Sequence, residues 1–134
     1  MNASDLISGE FNRLLEFGHT RMHERSFAEQ VIYYLVIARC EKDTSNFISI
    51  FEQGLTKKEL EILIEGLREI DEPILAHEFT RALALLNREG FYPGLDKELS
   101  AAAEAEIEDI SDRIGDRLWD LDEKLTTLLN ANAA

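Results

Sequence analysis

One cysteine, one tryptophan and two prolines occur in 134 residues, and each scarcity removes a class of explanation. A single thiol, Cys40, cannot close an internal disulfide, so stability must come from apolar packing rather than from covalent staples. Its place in the apolar run Val31 to Cys40 predicts a small buried side chain. With two prolines and seven glycines the chain has few breaks, and no alternating run bounded by hairpin turns suggests a strand. No stretch approaches the roughly 18 continuous apolar residues that a membrane span needs, and Met1 to Glu10 shows neither a basic n-region nor an apolar h-region. A cytoplasmic protein is the expectation.

Basic side chains are also in short supply. Lys and Arg number 14 against 27 Asp and Glu, a formal net charge of -13. That balance disfavours nucleic acid and anionic lipid as direct partners and makes a basic macromolecule the natural counterpart.

Catalytic signatures are missing. There is no GxGxxG, GxxxxGK[ST] or GxSxG motif and no paired-cysteine metal pattern. His19 and His23 stand four apart, so on an α-helix both imidazoles could face one metal, with Glu16 or Glu24 as an oxygen ligand. A zinc site needs three or four protein ligands, and Cys40 and His77 cannot be placed nearby. His77-Glu78 begins like a zinc-protease helix, but Arg81 stands where the second histidine would be. A third class of function is a hydrolase or metal-dependent enzyme using His19, His23 and nearby carboxylates; metal analysis of the purified protein would reveal a site of this sort. The expectation is a non-enzyme without a catalytic residue, metal or cofactor.

What the chain does have is helical periodicity almost throughout, in a length and with a 45% hydrophobic content that suit one core. The reading is an all-α, single-domain bundle of about six helices covering residues 1-134. A first helix should follow Ser4 as N-cap, with Leu6, Ile7, Phe11, Leu14 and Leu15 forming its apolar side, and end or bend at Gly18. Ser26 and Glu29 form a capping box for a second helix reaching about Arg39, apolar nearly all round and therefore central. Asn46 to Gln53 predicts a short helix with Phe47, Ile50 and Phe51 inward, closed by a left-handed Gly54. Thr56 and Glu59 are a second capping box, before Leu60, Leu63, Ile64, Leu67 and Ile70. Pro73 suits the first turn of the next helix, whose inner face would be Ile74, Leu75, Phe79, Leu83 and Leu86. Beyond a loop with Gly90, Phe91, Tyr92, Pro93 and Gly94, one long acidic helix is expected from near Ser100 to about Leu129.

In that last segment Ile107, Ile110, Ile114, Leu118, Leu121, Leu125 and Leu128 repeat at three and four residues, a helix seam. Asp109, Asp112, Asp116, Asp120 and Glu123 recur at the same spacing about 200° away, which predicts a strip of negative charge roughly 20 Å long on the opposite face. Between positions 98 and 123 ten acidic residues meet only Arg113 and Arg117, a local balance of -8. Glu61, Glu65, Glu69 and Glu72 form a second row. Charge runs on helices are usually solvated faces, and Asp109 with Arg113 or Asp120 with Lys124 would be ordinary i,i+4 pairs of a few tenths of a kcal/mol. Like charges four apart, however, weaken their helices slightly, where a sequence shaped only for stability would more often alternate signs. Trp119 at the edge of the seam, with Gly115 one turn earlier, would suit close helix approach, in the domain's own core or in a homodimer.

From about Ser26 to Leu128 the order of features resembles the bacterial DNA-mimic protein family. The likeness rests on an apolar helix reaching Arg39-Cys40-Glu41, the segment Asn46-Phe47-Ile48-Ser49-Ile50-Phe51, and Leu63-Ile64-Glu65-Gly66-Leu67-Arg68-Glu69-Ile70. It continues through Pro73-Ile74-Leu75-Ala76 and Ala82-Leu83-Ala84-Leu85-Leu86 to an acidic end, Trp119-Asp120-Leu121-Asp122. Where family members commonly carry an Asn-Gly-Gly turn, this chain has Asp43-Thr44-Ser45-Asn46. The resemblance implies an all-helical domain whose carboxylates imitate duplex phosphates and occupy the DNA-binding surface of a transcription factor. The expected role is thus a DNA mimic, with Asp109, Asp112, Asp116, Asp120, Glu123, Glu61, Glu65, Glu69 and Glu72 as phosphate surrogates. The alternatives are an immunity-type inhibitor that caps a basic nuclease or toxin, and a helical protein whose acidic face is merely solvated.

Overall fold

Every regular element in the computed structural model is helical among the residues it describes, 2-89 and 99-131. The expected loop around Gly90 to Gly94, with Phe91 and Tyr92, and the acidic Glu98 lie outside the described residues. The α-helices among the described residues are α1 Ala3–Leu15, α2 Phe27–Thr44, α3 Lys57–Glu69, α4 Pro73–Arg88, α5 Ala101–Ile114 and α6 Asp122–Ala131. Short 3₁₀ segments lie at His19–Glu24 and Arg117–Trp119, and a π turn at Ile50–Gly54.

Local chemistry fixes most of the helix starts. Ser26 and Thr56 each accept from the backbone N–H three residues on, while Glu29 and Glu59 reach back to the cap residue's own N–H, so both capping boxes form. Pro73 occupies the first turn of α4, where its missing N–H leaves no bond unmade. α1 begins two residues earlier than Ser4 would set it, because Asn2 Oδ1 accepts from Asp5 N–H at 2.8 Å. It ends at Leu15, and Gly18, at φ 87, turns the chain into the first 3₁₀ segment.

α2 is the central element. Val31 to Val36 and then Ala38 and Arg39 are all buried, and the helix packs against α1, α3 and α6. It runs on to Thr44 rather than stopping near Arg39, and Cys40, in this extra length beyond the buried stretch, is exposed rather than buried. Where α2 meets α3, a Cβ on Gly66 would stand 2.5 Å from both methyls of Val31. That backbone-to-side-chain approach is closed to any larger residue.

Phe47, Ile50 and Phe51 point inward as expected, and Phe47 packs edge-on to Phe51 with centroids 5.2 Å apart. Gly54 is not left-handed: the wide turn closes through Leu55 N–H to Ile50 O at 2.8 Å, and the positive-φ glycines among the described residues are Gly18 and Gly115. Ile74 also departs from expectation. It sits in the first turn of α4 with 51% of its surface exposed, whereas Leu75, Phe79, Leu83 and Leu86 are core.

The largest correction concerns the C-terminal helix. It is not continuous: Gly115 (φ 51, ψ -129) ends α5, the chain passes through Arg117–Trp119, and α6 starts at Asp122. That backbone conformation is reserved for glycine, so Gly115 breaks the helix instead of serving as a notch; a Cβ there would meet nothing nearer than Asp112 O at 3.7 Å. The seam survives the break, since Ile107, Ile110, Ile114, Leu118, Leu121 and Leu125 are all buried. No helix among the described residues is long and apolar enough to cross a membrane.

Candidate anionic interface

Three contacts from two basic residues of α2 hold the corner between α5 and α6. Lys42 Nζ donates to Gly115 O at 2.9 Å, Arg39 Nη1 donates to Leu118 O at 3.1 Å, and Arg39 Nη2 pairs with Asp122 at 2.9 Å. Lys42 Nζ and Arg39 Nη1 take up two carbonyls of the broken helix, and Arg39 Nη2 holds the Asp122 carboxylate at the start of α6. The Arg39 guanidinium also lies 4.7 Å from the centroid of the half-exposed Trp119 ring.

The bend redistributes the predicted strip. Asp109 and Asp112 stand on α5, Asp116 directly precedes the 3₁₀ turn, Asp120 follows it, and Glu123 lies in the first turn of α6. They do not lie on one straight helix face, so the even ladder expected of an uninterrupted helix is replaced by charges spread around a corner. Asp112, Asp116, Asp120 and Glu123 are exposed, and none has an ion-pair partner among the described residues.

Asp109 is different. It pairs with Arg113, whose Nε donates to the buried Glu78 at 3.1 Å, and Arg81 links Glu78 to Glu106 at 3.2 and 3.4 Å. A carboxylate inside this α4–α5 network has its charge compensated locally and is a poor phosphate surrogate. Glu72 is compensated too: Lys124 Nζ lies 2.6 Å from its carboxylate and 3.1 Å from Asp71 O, rather than pairing with Asp120. Of the second row, Glu61, Glu65 and Glu69 remain exposed on α3 without an ion-pair partner among the described residues.

The two rows are carried by helices that both pack on α4, with no pairing of similar extent between α3 and α5. Where the α3–α4 turn and the start of α6 meet, the joining group is the Lys124 cation. The carboxylates therefore divide into two exposed sets, the α5–α6 corner and the α3 row, and do not form one sheet of charge.

The histidines belong elsewhere. His19 Nε2 lies 2.8 Å from Glu59 Oε2, and its ring packs near Tyr33 and Tyr34 with centroids 5.5 and 6.1 Å away. His19 and His23 share a 3₁₀ segment, where at three residues per turn positions four apart diverge by about 120°. No group of three or more His, Cys, Asp or Glu that could hold a metal occurs among the described residues.

Two charged residues matter more than their sequence context advertised. Arg39 stands in an apolar run whose hydrophobicity hides it; a cation among core residues is itself a sign of a specific partner. Glu29 is more than a capping residue, since it also binds Arg25 and Arg13 and so ties α1 to α2. Burial opposes its charge, but Arg25, Arg13 and Ser26 together prevail and hold its carboxyl down at about 2.

No family model, curated protein or solved structure matches this chain.

Proposed function

We propose that this protein is a non-enzymatic, cytoplasmic DNA mimic, whose carboxylates stand in for phosphates on the DNA-binding surface of a basic protein such as a transcription factor. The observation that carries the reading is selective compensation. Carboxylates at helix contacts, such as Glu29, Glu78, Asp109 and Glu72, have cationic partners, whereas Asp112, Asp116, Asp120 and Glu123 cluster at an exposed corner with none among the described residues. Arg117 stands between Asp116 and Asp120 but forms no ion pair with the four carboxylates among the described residues, so the corner keeps a net negative local field available to a basic surface.

Around a bend, carboxylates follow a curved path rather than a line, and successive positions three or four apart remain about 5 to 6 Å from one another where the backbone is helical. Glu61, Glu65 and Glu69 provide a second anionic surface. Binding of this kind gains mainly in association rate and weakens as salt shortens the reach of the field, roughly 10 Å at 0.1 M. A homodimer would enlarge the surface, and the half-exposed Trp119 beside the corner is a contact it could use.

The test is a pull-down at low salt. Immobilised protein should enrich DNA-binding proteins that added duplex DNA displaces, and the triple reversal Asp112→Lys, Asp116→Lys and Asp120→Lys should abolish their recovery. Recovery of the same partners by the reversed variant, or indifference to duplex DNA, would count decisively against mimicry.

A further inference from the structure

We propose that the groove between α3 and α4 is a docking site for a basic amphipathic helix of a partner protein. The two helices are joined by the short turn at Asp71 and run antiparallel, and the open groove along them holds about 750 Å³. That is the volume of a small-molecule site. An open trough lined by five charged side chains, however, suits an extended ligand better than an enclosed one.

Its two walls are unlike. On α3 the carboxylates Glu61, Glu65 and Glu69 stand four apart between the cations Lys57 and Arg68, which leaves that wall with an excess of one negative charge, while α4 contributes Thr80, Ala84 and Asn87, all uncharged and short. Between them the floor is apolar, formed by Ile64 and Leu83, which keep 5% and 8% of their surface accessible. From Lys57 to Glu69 the groove follows α3 for about 18 Å, the length of three helical turns.

A helix with an apolar stripe and a flanking line of Lys or Arg is complementary to this cross-section. Its apolar stripe meets Ile64 and Leu83, its cations meet the α3 carboxylates, and its backbone comes close over the small residues of α4. Lys57 and Arg68 oppose such a ligand at the two ends of the row, and Arg68 Nη2 reaches Thr80 Oγ1 at 3.5 Å, across the groove near the C-terminal end of α3. A basic helix must displace this strut.

The inference rests on the preceding reading in taking the partner to be basic, and adds the element of that partner which is bound. It makes no use of the corner carboxylates. The probe is a fluorescein-labelled synthetic Leu/Lys amphipathic helix of about 15 residues, the length at which isolated helices become marginal in water, with a scrambled peptide of the same composition as control. Anisotropy should show salt-sensitive binding of the helical peptide and binding of the scrambled one weaker by about tenfold or more. Ala84→Trp, which fills the groove at an exposed position and leaves every charge in place, should cost a similar factor. So should the combined Glu61→Gln, Glu65→Gln and Glu69→Gln, whereas Arg68→Ala should tighten binding. Unchanged affinity in Ala84→Trp, or equal affinity for the scrambled peptide, would overturn the groove. Asp112→Asn with Asp116→Asn and Asp120→Asn should bind the peptide like the parent; a loss there, with Ala84→Trp unaffected, would move the site to the corner. Peptide binding that persists while duplex DNA displaces no partner would leave the groove standing and remove mimicry.

Discussion

Arg39 and Asp122 meet at 2.9 Å across 83 positions of sequence, with 5% and 15% of their side-chain surfaces exposed. Through this pair the middle of the chain holds the turn that carries the exposed carboxylates. The same guanidinium binds Leu118 O and faces Trp119, so helix, turn and ring share a single cation.

Arg39→Met should therefore destabilise the protein by about 3 kcal/mol, because Asp122 is left partly buried and unpaired. Since Trp119 is the chain's one tryptophan, its emission reports the corner directly and should shift in the folded variant. Adding Asp122→Asn should restore part of the lost stability, as the stranded charge is then gone. Urea unfolding and fluorescence of the two variants check this; full parental stability in Arg39→Met, with unaltered emission, would contradict it.

Glu29 makes stability depend on pH in a defined direction. Its folded value, about 2, lies below the ordinary 4.5, so its contribution is complete above the unfolded value and is lost as pH falls through the folded one. At about 1.4 kcal/mol per unit the carboxylate contributes roughly 3 kcal/mol near neutrality. Glu29→Gln should lower stability by about 2–3 kcal/mol at pH 7, and its deficit relative to the parent should shrink between pH 4.5 and 2. Denaturant titrations at several pH values measure this, and a deficit of equal size at both ends of that interval would show that ionisation is not its origin.

The helical class and most helix starts were legible because they depend on local rules. Ser26 with Glu29, Thr56 with Glu59, and Pro73 each act within one turn of chain, and the structure places all three as those rules require. The break at Gly115 was not legible. Apolar residues three and four apart are buried equally by one helix or by two helices joined through a 3₁₀ turn, and Ile114 and Leu118 fit either arrangement. The deciding contacts come from Lys42 and Arg39, more than 70 positions away, and periodicity carries no information about them. The same limit applied to the candidate carboxylates. The i,i+4 spacing does pair Asp109 with Arg113, but it carries no sign that Glu78 of another helix also holds Arg113, or that Lys124 turns to Glu72 rather than to Asp120.

Gly66 is where packing leaves least room. A Cβ at this position would fall 2.5 Å from both Val31 methyls and 3.1 Å from Val31 Cβ, on a side chain that is itself fully buried in the central helix. Within α3 an alanine would ordinarily be favoured over glycine by about 1 kcal/mol. Here the overlap must outweigh that gain, since α2 and α3 would have to separate, at a cost of about 1–3 kcal/mol for overpacking. Gly66→Ala should accordingly lower the midpoint of thermal unfolding, and Val31→Ala should lower it through the cavity it leaves. Combined, the two should be less harmful than their sum, because the methyl introduced at 66 occupies space vacated at 31. Calorimetry of the four proteins gives the coupling. Simple additivity would mean that the two helices are not held together at this point, and a stabilised Gly66→Ala would mean that they are further apart.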